Sequence, residues 1–220
     1  MARKIIDLSL TFHNAAQGVN IEPALRIKSD GFNTSNLHIY SHALTHMDAP
    51  LHFLENGQPI DELNLQKCVG KAIVVDMSHK LPNSLITVED MQPYVDRIQP
   101  QSRVLIRTDW DTHAGLDDYR TDFPRISVEL AQWLATRGVW LLGVETPSVA
   151  SLRLERRQEL TEVHQILLRA DIVIVESLAN LAQIQCDEVY FIALPLKLNQ
   201  CDGSPTRPIV IIEEEDGNKL

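Results

Sequence analysis

The stretch SVELAQWLATRGVWLLGV, residues 127–144, carries the strongest signal for the fold. Ser127 is a residue type that caps helix N-termini, and apolar residues recur behind it at the spacing of one helix face. Gly138 then ends the helix, because glycine readily adopts the left-handed conformation found after helix C-termini. We therefore predict a helix over Ser127–Arg137 and a buried strand over Val139–Val144.

Similar units lie on both sides of this stretch. We predict a strand over Arg103–Arg107, a second helix over Leu160–Ala170 that begins at or just before Thr161, and a strand over Ile172–Glu176. Two strand–helix–strand units in succession are typical of an α/β protein. The remaining predictions are strands at Ile5–Leu10, Leu37–Tyr40, Ala72–Met77, Val189–Leu194 and Ile209–Glu213, a helix start at Val88–Tyr94, a loop or long hairpin at Asn14–Phe32, a loop at Thr108–Phe123 and a solvated acidic tail, EEEDGNKL.

The predicted fold class is α/β, with a mixed β-sheet and helices packed on it. Residues 1–220 contain no repeat, low-complexity tract or linker, and we expect them to form one domain.

Charge and composition exclude several classes of partner. The formal net charge is −10 at pH 7 and the pI is about 5.2. Nucleic acids and anionic membrane surfaces bind proteins with surplus Lys and Arg, so we expect neither as a partner. No apolar stretch approaches the roughly 18 residues of a membrane helix, and the N-terminus lacks a signal-peptide core.

The cysteines point to a reducing compartment. Cys68, Cys186 and Cys201 are odd in number and show no CxxC spacing. This pattern disfavours a disulfide framework and a thiolate zinc site. We expect a cytoplasmic protein with reduced thiols.

A cluster of histidines lies in SHALTHMDAPLHF, residues 41–53, which contains His42, His46, Asp48 and His52. Even separations place side chains on one face of an extended segment, and His42 and His46 would also share a face of a helix. Pro50 argues against a helix that continues to His52. Either geometry lets the four side chains converge.

Imidazoles and a carboxylate together suit a divalent metal such as Zn²⁺, Mn²⁺ or Fe²⁺. A set of two histidines and one aspartate leaves coordination positions open, which is typical of a catalytic site with activated water. For a single histidine, an ordinary hydrogen-bonding role would be the default. Three histidines and an aspartate within thirteen residues favour a metal site.

The pattern His42-x-x-Thr45-His46-x-Asp48-x-Pro50-x-His52 resembles the signature of the metal-dependent cyclase/hydrolase family, which includes kynurenine formamidases and isatin hydrolases. Four later segments resemble further blocks of that family in the same order. They are LIRTDWDTHAG (105–115), FPRISVELAQWLATRGVWLLGVETPSV (123–149), VHQILLRADIVIVESL (163–178) and FIALPLKLNQCDGSPTRPIVI (191–211).

The resemblance implies a swivelling β/β/α fold, a homo-oligomer (dimer or tetramer) and one or two zinc or manganese ions per subunit. In formamidases, a histidine and a glutamate far along the chain serve a second metal, and two carboxylates bridge the two ions; His164 and Glu176 match that histidine and glutamate. His52 matches the family's proton donor and acceptor. The positions that match the family's metal ligands are His42, His46, Asp48, His164 and Glu176.

Two departures from the family pattern lie close to these motifs. Ala43 and Leu44 stand where glycine is common. The segment 105–115 resembles the family's RTGW loop, and Asp109 stands where that loop has glycine. The loop at residues 14–23 also lacks the tryptophan that formamidases place against an aromatic substrate. The metal chemistry therefore transfers better than the specificity for kynurenine.

The sequence as a whole predicts a metal-dependent hydrolase that cleaves an amide, lactam or lactone bond of a small molecule. His52 would act as general acid and base. Two alternatives stay open: a cyclase or lyase that uses the same metal site, and a non-catalytic metal-binding protein.

Overall fold

The structure is a computed structural model that describes residues 2–214 of the chain. Of the predicted acidic tail, residues 215–220 lie outside the described residues.

The described chain alternates strands with a few helices. The strands are β1 (Ala2–Asp7), β2 (Val19–Leu25), β3 (Thr34–Ile39), β4 (His46–Asp48), β5 (Val69–Asp76), β6 (Leu85–Ile86), β7 (Arg103–Arg107), β8 (Arg125–Ile126), β9 (Leu141–Val144), β10 (Val173–Glu176), β11 (Glu188–Ile192), β12 (Gly203–Pro205) and β13 (Ile209–Glu214). The α-helices are α1 (Ile27–Asp30), α2 (Val128–Thr136) and α3 (Arg157–Arg169). Short 3₁₀ helices cover Pro50–His52, Ile60–Glu62, Leu65–Cys68, Glu89–Tyr94, Trp110–His113, Leu154–Arg156 and Leu181–Gln183.

One mixed sheet of nine strands organises the fold, in the order β1-β13-β11-β5-β7-β9-β10-β4-β12. The central block β5-β7-β9-β10 is parallel, and the strands on both flanks are antiparallel. Helix α2 connects β7 to β9, and α3 connects β9 to β10, as the two predicted strand–helix–strand units require. The predicted fold class, α/β with a mixed sheet and packed helices, is confirmed.

Both faces of the central sheet are buried, and side chains alternate between two cores. On β10, Ile174 belongs to the core shared with α2 and α3, whereas Val173 and Val175 belong to the core on the opposite face. This alternation follows from the two-residue period of a strand. It places Glu176, two residues after Ile174, on the face covered by the helices.

The first predicted helix is confirmed at both ends. Ser127 Oγ accepts a hydrogen bond from the Leu130 N–H at 3.1 Å, as an N-cap should. Gly138 follows the helix with a φ of +67°. Its lack of a side chain makes this left-handed conformation inexpensive.

Two other helix predictions are wrong in detail. Helix α3 begins at Arg157, so Thr161 lies inside the helix rather than at its cap, and its hydroxyl donates to the Arg157 carbonyl. The segment predicted to start a helix at Val88 forms a 3₁₀ helix, Glu89–Tyr94. Pro93 lies within that segment and cannot donate a backbone hydrogen bond.

Glu145 anchors two loops beyond the carboxyl ends of the parallel strands. It is fully buried, and its carboxylate accepts the backbone N–H groups of Thr108 and Asp109 at 2.7 Å and of Leu181 at 3.1 Å. Burial raises the pKa of Glu145 to about 8, with a further contribution from the nearby Asp111 charge, and the three N–H groups oppose this rise.

Within residues 2–214, no helix is both long and apolar enough to cross a membrane.

The raised pKa of Glu145 predicts a pH-dependent stability. The folded protein binds this proton more tightly than the unfolded chain, whose glutamates titrate near 4.5. The contribution is therefore present below pH 4.5 and is lost as pH rises through about 8. It amounts to a few kcal/mol in order of magnitude.

The test is urea unfolding of wild type and Glu145→Gln at pH 5 and pH 8, both in chelator. We expect the free energy of unfolding of the wild type to fall relative to the variant between these pH values. If the free energy of unfolding changed by the same amount in both proteins between pH 5 and pH 8, the assignment would be contradicted. This holds whatever the substitution costs in stability at either pH.

Candidate metal centre

The pairing of β4 with β10 builds the centre of the site. In this antiparallel pair, His46 lies opposite Glu176, and Asp48 lies opposite Ile174. Cross-strand partners point to the same side of a sheet, so His46, Asp48 and Glu176 all project toward α3. His164 enters from α3 and is buried there.

The four side chains lie close together but at distances longer than those of normal hydrogen bonds. His46 Nε2 lies 3.4 Å from Asp48 Oδ1 and 3.4 Å from Glu176 Oε2. His164 Nε2 lies 3.4 Å from Glu176 Oε1 and 3.8 Å from Asp48 Oδ2. Charge-assisted hydrogen bonds are shorter, about 2.7–2.9 Å. Such separations suit groups that share a cation.

Backbone carbonyls hold both imidazoles in the orientation that metal ligands need. His46 Nδ1 lies 2.7 Å from the Leu44 carbonyl oxygen, and His164 Nδ1 lies 2.7 Å from the Leu160 carbonyl oxygen. Since a carbonyl only accepts, each Nδ1 carries a hydrogen and donates it. The Nε2 atoms are thereby directed at Asp48 and Glu176, an arrangement in which each can ligate a metal.

The charges of the cluster also fit a divalent cation. Burial opposes ionisation of His46, but the Asp48 and Glu176 carboxylates outweigh it and raise the pKa of His46 to about 10. Burial and the Asp48 charge oppose ionisation of Glu176, yet its contacts with the two histidines hold its pKa at about 2. Asp48 Oδ2 is buried without a hydrogen-bond partner. Two buried carboxylates with an unpartnered oxygen require positive charge beside them, which a metal ion would supply.

The other two histidines of the cluster form a second layer beside Asp48. His42 Nδ1 lies 2.9 Å from Asp48 Oδ1, and the rings of His42 and His52 stack with centroids 3.8 Å apart. Ring nitrogens of both histidines and a carboxylate oxygen of Asp48 lie within 4.8 Å of one another. Burial lowers the pKa of His52, so its imidazole is neutral near pH 7 and able to accept a proton.

The structure brings all six predicted site residues together, but not by the predicted local geometry. Only His46 and Asp48 share a strand. His42 precedes it in a turn, and His52 ends the 3₁₀ helix Pro50–His52. The alternative of a helix through His42 and His46 is wrong, because Leu44 between them has a left-handed φ of +49°.

Asp202 completes the second layer, and the sequence did not single it out. Its Oδ2 lies 3.0 Å from His42 Nε2 and 3.7 Å from His52 Nδ1. Asp202 belongs to the segment 191–211 that resembles the family. The Asp-Gly pair in that segment is the one sequence feature that could have indicated a functional role for Asp202. Nothing in its spacing indicates a return to a residue 160 positions earlier.

Of the three residues that stand where the family has glycine, two share a conformation. Leu44 and Asp109 both have positive φ, +49° and +56°. Aspartate tolerates this region, and Asp109 also forms a bidentate ion pair with Arg107 at 2.7 and 3.0 Å. For Leu44 the conformation is strained, on the order of 1–2 kcal/mol.

A cavity of about 750 Å³ opens beside the cluster. Its lining consists largely of loop side chains, among them Leu44, Tyr40 and Tyr119. Of the histidine cluster, His42 lines the cavity. The buried Tyr119 hydroxyl donates to Ser177 Oγ at 3.0 Å. Ser177 directly follows Glu176 in the chain. The cavity is large enough for a small organic molecule.

Comparison with known proteins yields one consistent set of relatives. The chain is 34% identical over 179 residues to a kynurenine formamidase of Bordetella petrii, covering 81% of this chain and 80% of the relative. It is 33% identical over 183 residues to a kynurenine formamidase of Bacillus cytotoxicus, covering 83% and 82%.

A solved structure and a family model agree with these relatives. Isatin hydrolase A from Labrenzia aggregata, bound to benzyl benzoate, superposes with a TM-score of 0.87 at 25% identity, covering 96% of this chain and 94% of that one. The family model Cyclase, described as "Putative cyclase", matches residues 6–151. With its fold, its histidine cluster and these matches, the chain belongs to the Cyclase family.

Proposed function

We propose that the chain is a metal-dependent hydrolase that cleaves an amide, lactam or lactone bond of a small molecule. One observation carries this function. Two imidazoles, fixed by backbone carbonyls, direct Nε2 atoms at a buried pair of carboxylates with an unpartnered oxygen, beside a cavity of about 750 Å³. The formamidases and isatin hydrolase to which the chain is similar act on C–N bonds other than peptide bonds.

The proposed ligands of the metal are the four buried residues around the carboxylate pair and His42 of the second layer. A bound divalent cation there would polarise the carbonyl to be cleaved and make hydroxide available near neutral pH. Zinc and manganese both suit imidazole and carboxylate donors, in one or two ions per subunit. The residues assigned to the metal are His42, His46, Asp48, His164 and Glu176.

We assign proton transfer to His52. Its ring nitrogens lie close to Asp48 and His42, and its burial keeps it neutral, so it can accept the proton of the attacking water. His52 then returns this proton to the departing nitrogen or oxygen. A purely structural metal site would not need this residue, which disfavours the non-catalytic alternative.

The cavity lining favours a broad class of small substrates. Tyr40 and Tyr119 offer aromatic surface, and Leu44 adds bulk where formamidases commonly have glycine. A small substrate with a flat apolar part suits this lining. We place the protein in the cytoplasm, in keeping with its three free cysteines.

We further propose that the protein is a homo-oligomer, as a dimer or tetramer, through the arm, defined as residues 19–39. The arm is the separate hairpin β2–β3 with α1 between its strands. Ile27, Phe32 and Leu37 on it are 65%, 55% and 61% exposed. Large apolar side chains exposed on one hairpin favour burial against a second copy of the chain.

Metal content is the first test of the function. Elemental analysis of purified wild type should find about one or two equivalents of zinc or manganese. His46→Ala should lose most of it, because this imidazole faces both buried carboxylates. His79→Ala, at an exposed histidine outside the cluster, is the control and should retain the metal. Wild-type protein that binds no metal after reconstitution would refute the function.

Replacing His52 separates catalysis from metal binding. His52→Ala should keep the metal and lose at least about 100-fold in kcat on whichever formamide, lactam or lactone the wild type hydrolyses. Loss of metal with an unchanged fold would instead make His52 a ligand. Isomerisation or dehydration without hydrolysis, on the same panel, would favour the cyclase or lyase alternative.

Substitutions in the arm test the oligomer. Phe32→Asp combined with Leu37→Asp should lower the molar mass measured by light scattering to that of a single chain, because each charge would be buried in the interface. Leu154→Asp introduces a charge at an apolar residue that is 83% exposed elsewhere on the surface, and should leave the mass unchanged. Equal masses for all three proteins would exclude the arm as the interface.

A further inference from the structure

Asp202 is the one acidic side chain among the described residues that contacts both His42 and His52 without belonging to the buried carboxylate pair. Its Oδ2 lies 3.0 Å from His42 Nε2 and 3.7 Å from His52 Nδ1. Its other oxygen, Oδ1, accepts a hydrogen bond from the Ser41 hydroxyl at 3.0 Å. The carboxylate therefore has a fixed orientation at the edge of the two stacked rings.

The backbone around Asp202 is held independently of its side chain. The Ala49 N–H donates to the Asp202 carbonyl at 2.9 Å, and Gly203 lies opposite Asp48 in the pairing of β12 with β4. A Cβ at Gly203 would lie 2.6 Å from His42 Cε1, so the glycine lets the strand pack directly on this ring. Removal of the Asp202 carboxylate should leave that packing in place.

His42 is oriented in the opposite sense to the other two imidazoles. His46 and His164 donate from Nδ1 to carbonyls and present Nε2 to the carboxylates. In His42 it is Nδ1 that faces Asp48, at 2.9 Å, and Nε2 that faces Asp202. No backbone carbonyl contacts the His42 ring nitrogens within hydrogen-bonding distance in the described chain, so Asp202 alone occupies the position that carbonyls occupy for His46 and His164.

We propose that Asp202 is a positioning residue: it accepts the Nε2–H of His42, which leaves Nδ1 of that ring free to bind the metal, and it holds the stacked His52 ring in place. The inference rests on the proposed function in its metal-binding part. Mutating a carboxylate that accepts the second N–H of a histidine ligand typically lowers the metal affinity by about 10–100-fold. Asp202 itself touches neither the metal nor the substrate in this role.

The test uses the full chain with and without zinc. In the metal-free wild type, the proton NMR spectrum should contain a downfield His42 Nε2–H resonance, assigned by its loss in His42→Gln. Asp202→Ala should abolish this resonance and raise the zinc dissociation constant, measured by competition with a chromogenic chelator, by about 10–100-fold. Asp202→Asn should restore part of both, because its amide oxygen can still accept the N–H.

Asp61→Ala is the matched control for loosening of the same segment. Asp61 accepts hydrogen bonds from the Gln200 N–H and the Asn199 side chain but contacts no histidine. This variant should keep the resonance and the zinc affinity. An equal loss of affinity in Asp61→Ala, or an unchanged resonance in Asp202→Ala, would overturn the inference.

The outcomes also separate this inference from the function it rests on. A wild type that binds no zinc but shows a His42 resonance sensitive to Asp202 would refute the hydrolase and its metal, and with them the metal-binding part of the inference. A wild type that binds zinc and hydrolyses its substrate no better than Asp202→Ala does would refute the positioning role and leave the hydrolase intact.

Discussion

The antiparallel pairing of β4 with β10 is the constraint on which the rest of the site depends. Its register sets His46 opposite Glu176 and Asp48 opposite Ile174, so that three polar groups share the helix-covered face of the sheet. A shift of β4 by one residue would turn His46 and Asp48 toward the other core and away from Glu176. Thr45 reinforces the register, because its hydroxyl donates to the Ser177 carbonyl just beyond β10 and accepts the Leu10 N–H.

This register brings together charges that the core would otherwise exclude. Asp48 and Glu176 lie among apolar side chains, and their only compensation within the described chain is the imidazoles and the Val149 N–H that donates to Glu176. Two carboxylates so close together are unfavourable unless a cation or protons neutralise them. The charge that makes the cluster costly for folding also suits it to a divalent ion. The contacts of His42 with Asp202 extend the cluster to the cavity wall.

Two residues near the site, Leu44 and Asp109, have a left-handed backbone conformation. Leu44 lies between His42 and β4, and Asp109 follows β7, where its N–H donates to the buried Glu145 carboxylate. Both positions are ones at which glycine would adopt the required φ without strain. This chain adopts the left-handed conformation at both positions with a residue other than glycine. The side chain of Leu44 lines the cavity. The side chain at position 44 can therefore shape the cavity wall while β4 holds His46 and Asp48 in place.

The sequence by itself determined the parts that depend on local periodicity and composition. The helix behind Ser127, the parallel strands and the α/β class follow from apolar spacing, caps and glycine, and the density of imidazoles in residues 41–53 is enough to indicate a metal site. The resemblance to a known family added His164 and Glu176, which no local pattern singles out.

Only the tertiary structure decided how these residues meet. His46 and Asp48 converge because a strand places alternate residues on one face, whereas His42 and His52 join them through a turn and a 3₁₀ helix. Asp202 reaches them from the far end of the chain, because β12 pairs with β4. Contacts of this kind arise from sheet register between distant segments, which local spacing does not encode.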